Sequence, residues 1–86
     1  SQHYKGSAID FHINSTLSFV EQHRAVLAIL TDLQVSQYIG FGIYPDWNSP
    51  GFHLDVRGVF ARWGFIGSTQ VSIEATIKHA EDKESA

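Results

Sequence analysis

His3 and Asp10, an imidazole and a carboxylate seven positions apart, form the pair with the clearest chemical potential in the chain. Both side chains are ligands for a borderline-soft metal such as zinc. Their spacing constrains the backbone between them. Seven residues of one helix bring both to the same face but about 10.5 Å apart along the axis, too far for one ion with bonds of roughly 2 Å. On one straight strand an odd separation sends them to opposite faces. A shared metal therefore requires the chain to fold back, and Gly6 supplies the freedom for that turn. Ala8-Ile9-Asp10-Phe11-His12 then reads as a short strand delivering Asp10. By spacing alone, a surface His–Asp pair is the competing reading.

A second ionisable group lies far downstream. Phe52-His53-Leu54-Asp55-Val56-Arg57-Gly58 alternates strictly. On a strand, Phe52, Leu54 and Val56 face the core, and His53, Asp55 and Arg57 project together from the other side. Such a row is either a solvated surface or part of a site. The loop before it, Pro45-Asp46-Trp47-Asn48-Ser49-Pro50-Gly51, is dense in turn-forming residues.

The elements that must position these residues are legible in outline. Asn14 and Ser15 are candidate helix caps. From Thr16 to Gln34, Leu17, Val20, Leu27, Leu30 and Leu33 recur at helical spacing, with Val26 and Ile29 widening the stripe. Glu21, Gln22, His23, Arg24 and Asp32 fall to the polar side, which makes His23 a solvated residue. About 18 residues of helix span some 27 Å, the width of a small domain. Gln37–Tyr44 is aromatic and β-branched but broken by Gly40 and Gly42. Ile39, Phe41 and Ile43 share one strand face, expected under the helix. Tyr38, Gly40, Gly42 and Tyr44 share the other, where the glycines leave room for a neighbouring segment or a bound peptide. Ser68-Thr69-Gln70 reads as a turn. Ser72 caps a short helix from Ile73 to about Glu81, on which His79 is exposed, and the charged tail from Glu81 frays.

Composition sets the outer limits. Eighty-six residues make one small domain, and 43% hydrophobic with 13% aromatic content is that of a globular chain. No cysteine is present, so disulfides and thiolate zinc sites are excluded. Six scattered Lys and Arg residues with a net charge of −3 argue against a nucleic-acid partner. No apolar run approaches the length of a membrane span.

The pattern Ser1-x-His3-x-x-Gly6-x-Ala8-x-Asp10 resembles the zinc signature of the D-Ala-D-Ala carboxypeptidase and L-alanyl-D-glutamate peptidase family. That family includes bacterial cell-wall peptidases and bacteriophage endolysins, and the hedgehog signalling domain shares its fold. Ile43-Tyr44-Pro45, the Phe52–Gly58 segment and Ala61-Arg62-Trp63 are similar to the second half of the same site, and Val71-Ser72-Ile73-Glu74 to a segment that follows it. The resemblance implies His3, Asp10 and His53 as ligands of a Zn2+ ion. It implies Tyr44, Arg57 and Trp63 as substrate contacts. The fold it implies is α+β, a small antiparallel sheet with one long helix packed on it and the zinc site on the open face. Relatives carry an acidic general base three residues before the last zinc His. Here that position is Pro50, and the base falls to Asp55 or, alternatively, to Asp46. Asp55 is equally a structural partner for Arg57. Relatives also carry an upstream segment with a transition-state Arg that has no counterpart here. The chain is therefore expected to be one domain lacking its N-terminal part, completed by that part or by another chain.

The implied function is zinc-dependent hydrolysis of peptide bonds in bacterial peptidoglycan, in a stem peptide or a cross-link. Three protein ligands and one open position are what a catalytic zinc needs. A serine nucleophile is the weaker enzyme reading, since no Gly-x-Ser-x-Gly turn occurs. The alternatives from other classes are a cell-wall or peptide-binding module without hydrolysis and a structural fragment of a larger assembly.

Overall fold

Phe41, Ile43 and Phe52 are fully buried, and the two helices and five strands are arranged around them. The computed structural model describes residues 8–85. The strands are β1 (Ala8–Phe11), β2 (Ile39–Tyr44), β3 (Gly51–Val56), β4 (Ala61–Ile66) and β5 (Thr69–Val71), in the sheet order β1-β3-β2-β4-β5. Helix α1 spans Phe19–Asp32 and α2 spans Ile73–Ser85, with a single 3₁₀ turn at Ser36–Tyr38 before β2. The fold is α+β, with helices packed on a small sheet.

The sheet is mixed rather than wholly antiparallel. β2 pairs antiparallel with β3 but parallel with β4. The cause is the connection after β3, which crosses the start of β2 instead of turning back. Gly58, at φ +83°, donates its N–H to Tyr38 O at 3.0 Å and anchors that crossing. A positive φ suits glycine, which has no Cβ to clash.

Helix α1 begins later than the sequence suggests. Ser18 Oγ accepts the Glu21 N–H and the Glu21 carboxylate accepts the Ser18 N–H, a reciprocal capping box. Asn14, Ser15 and Thr16 precede the helix, and Leu17 is left exposed. The buried stripe is Phe19, Val20, Gln22, His23, Val26 and Leu30. Leu33, the C-cap, and Ile29 are exposed. Gln22 and His23 thus lie inward, a correction of the solvated role expected for them. Gln22 Nε2 donates to Leu17 O at 3.0 Å, which offsets its burial. The His23 ring stacks on Phe41 at a centroid distance of 5.6 Å, and among the described residues its Nε2 has no partner.

Residues 69–71 form strand β5 rather than a turn, paired with β4. Helix α2 also runs further than expected, because its last turns are tied down. Glu84 accepts the Val20 N–H at 3.2 Å and Lys83 reaches Asp46 at 2.8 Å. Gly64 on β4 lies against Thr76, where any Cβ would overlap that side chain, so α2 sits close on the sheet. Among the described residues no helix is long and apolar enough to cross a membrane.

Candidate functional site

Strand register assembles the site on the face away from the helices. Asp10 on β1 is opposite His53 on β3, His53 is opposite Gly42 on β2, and Gly42 is opposite Trp63 on β4. Register partners share a face, so these four residues form one row across four strands. In the next row Ala8, Asp55, Gly40 and Ala61 are aligned the same way. The two glycines of β2 are what the row needs. A Cβ at Gly42 would strike the Trp63 indole, and one at Gly40 would strike Arg57 and Asp55. The space over the glycine face is thus filled by these side chains of the same chain.

His53 stands at the centre. Its Nδ1 is 2.7 Å from Asp10 Oδ1, and its Nε2 is 2.7 Å from Asp55 Oδ2. Asp10 is 62% exposed and Asp55 only 14%, so the Nδ1 side opens to solvent and the Nε2 side is covered. A neutral imidazole has one N–H and one lone pair. If Nε2–H donates to Asp55, the Nδ1 lone pair faces an Asp10 oxygen that also carries lone pairs. Two lone pairs at that separation need a proton between them.

Asp55 is held firmly. Arg57 donates to it from Nε and from Nη2, both at 2.6 Å, while His53 occupies Oδ2 as well. The guanidinium holds the Asp55 carboxyl down to about 2, with the His53 hydrogen bond adding to the effect against the opposing cost of burial. The Arg57 guanidinium also lies over the Trp63 ring, 4.9 Å from its centroid. The His53 and Trp63 rings are 5.5 Å apart, and Trp63 Nε1 donates to Tyr44 Oη at 3.3 Å. Tyr44 in turn stacks between Trp47 and Phe65. Asp10, His53, Asp55, Arg57, Trp63 and Tyr44 are therefore brought together.

Asp46 makes its contacts elsewhere. Its carboxylate accepts the Gly67 N–H at 2.7 Å, His79 Nε2 at 2.8 Å and Lys83 Nζ at 2.8 Å. Lys83 first and His79 second pull its carboxyl well below the usual carboxylate range. His79, expected to be exposed, is instead part of this tie between the β2–β3 loop and α2. The chain offered a weak signal for it, since His79 and Lys83 are four apart and share a helix face.

The fit of these residues to zinc rests on their donor chemistry. Asp10 and His53 offer one oxygen and one nitrogen side by side, and Asp55 stands behind the imidazole where a carboxylate orients a metal-ligating His. The third expected ligand, His3, lies outside the described residues. Among the described residues no three His, Asp or Glu side chains are grouped to hold a metal ion. The 2.7 Å between Asp10 Oδ1 and His53 Nδ1 is a direct hydrogen bond, so the two side chains would have to part to hold an ion between them. Comparison with protein-family models, curated proteins and solved structures finds no match to this chain.

Proposed function

We propose that this chain is a zinc-dependent peptidase acting on peptide bonds of bacterial peptidoglycan, with His3, Asp10 and His53 as the zinc ligands. The observation that carries the proposal is the pairing of Asp10 with His53 in register on adjacent strands, backed by Asp55 at the second imidazole nitrogen. Two residues from separate halves of the sequence motif thus meet on an open face. Zinc supplies Lewis acidity, polarising a carbonyl and lowering the pKa of water towards about 7. The chain's own residues do the rest. Asp55 fixes the His53 tautomer and ring plane, Arg57 fixes Asp55, and Trp63 and Tyr44 flank the surface on which a peptide would lie.

Asp55 fits this orienting role better than that of general base, since both its oxygens are committed. Asp46, the other base candidate, is committed to His79, Lys83 and Gly67. Those engagements favour a second reading, a zinc-containing peptide-binding module without hydrolysis. The test is incubation of the zinc-loaded protein with purified peptidoglycan, followed by mass analysis of released fragments. The peptidase reading expects cleaved peptides that vanish with chelator and return with zinc. Zinc uptake with no fragment released would replace it with the binding module.

A further inference from the structure

The Arg57 guanidinium has five N–H donors in one plane, and Asp55 uses only the side edge formed by Nε and Nη2. Among the described residues Nη1 has no hydrogen-bond partner, and the side chain is 43% exposed. The remaining edge, Nη1–H with the second Nη2–H, has the fork geometry that binds a carboxylate through two parallel bonds. Its direction is not free. The Asp55 fork on one edge and the Trp63 ring beneath one face hold the plane, so little rotamer entropy is lost when a ligand docks. Asp55 Oδ2 alone separates this guanidinium from His53, with bonds of 2.6 and 2.7 Å to the two side chains. Arg57 is four residues beyond His53 in the chain, but the shared oxygen holds Nη2 within about 5.3 Å of His53 Nε2. That distance is one to two residues of an extended peptide.

We infer that the outward edge of Arg57 is a carboxylate subsite, selecting peptides that carry a free carboxylate within one or two residues of the bond presented at His53. The inference rests on the peptidase reading for where the peptide lies. Stem peptides qualify when their glutamyl α-carboxylate is free and not when it is amidated. Arg57 here recognises the substrate and is distinct from any group that acts on the bond.

The test uses the zinc-loaded chain and the tripeptide alanyl-γ-glutamyl-lysine, with its glutamyl α-carboxylate either free or amidated. Calorimetry should show the free acid binding about tenfold more tightly than the amide, the scale of one charge-assisted hydrogen bond. Arg57→Gln should bring the two affinities together. Should Arg57→Gln lose its fold or zinc, Arg57→Lys keeps a charge beside Asp55 but lacks the second fork, and its preference should fall several-fold. Equal affinities in the wild type, or no binding of either peptide, overturn the subsite. An unchanged preference in the Arg57 variants overturns it as well. Selective binding of the acid without any cleavage of peptidoglycan overturns the peptidase reading and leaves the subsite standing. Cleavage with no preference does the reverse.

Discussion

A neutral imidazole has one proton for two neighbours, and His53 sits between two carboxylate oxygens at equal distance. If the N–H goes to Asp55, which is largely buried and clamped by Arg57, the Asp10 side is left for a cation. Asp55→Asn tests this directly, because it keeps the shape and removes the charge. The variant is expected to fold and to lose about 10–100-fold in zinc affinity, the usual cost of removing a carboxylate behind a metal-binding His. Normal zinc affinity with turnover down about 10²–10⁴-fold would instead make Asp55 the general base. His23 gives a second prediction. Burial, first, and the nearby positive charges of Arg62 and Arg24 lower its pKa from 6.5. A folded-state pKa below the unfolded value means that the unfolded chain binds the extra proton. The neutral ring's contribution is therefore fully present above pH 6.5 and is lost as pH falls below it. Melting temperatures measured from pH 8 down to pH 5 should fall on the acid side, and His23→Leu should flatten that fall. An identical acid slope in the variant would show that His23 carries no part of it.

At the C-terminal end of α1, Gln34 adopts φ +60°. Its N–H donates to Thr31 O and the Val35 N–H to Leu30 O, the two bonds of a Schellman ending. A left-handed conformation costs a non-glycine L-residue about 1–2 kcal/mol, so Gln34→Gly should stabilise the protein by roughly 1 kcal/mol. Thermal unfolding should show a higher midpoint, and a lower one would mean that the Gln34 side chain matters more than its backbone. The helix also shows where sequence reasoning stops. Period-2 alternation identified β2 and β3 and the shared face of His53, Asp55 and Arg57, because alternation is a property of the backbone alone. The start of α1 was legible too, in Ser18-x-x-Glu21, but the leucine spacing pointed to another stripe and concealed Phe19 and His23. The crossing after β3, which makes β2 and β4 parallel, leaves little local signature beyond Gly58. Nor could the sequence indicate that Asp46 would be bound by α2, since that contact depends on how far the second helix runs. The candidate site was legible as residue types and as a shared face. Its hydrogen-bond order, Arg57 to Asp55 to His53 to Asp10, depends on register and burial.

Across the whole molecule, division of labour follows the two faces of one sheet. The helix side buries Phe41, Ile43 and Phe52 and supplies the rigidity. The other side carries the row of Asp10, His53, Gly42 and Trp63, drawn from four strands and therefore dependent on the entire sheet for its geometry. Among the described residues β1 pairs only with β3, so Asp10 reaches the site through that one neighbour. A metal shared by Asp10 and His53 would tie β1 to the body of the sheet. The central claim is that these two residues, with His3, hold one zinc ion. Elemental analysis of purified wild-type protein beside His53→Ala tests it most directly. About one zinc per chain in the wild type, with most of it lost in the variant, is the result predicted by the ligand set. Equal zinc in the two proteins, or none in either after incubation with zinc, would contradict it.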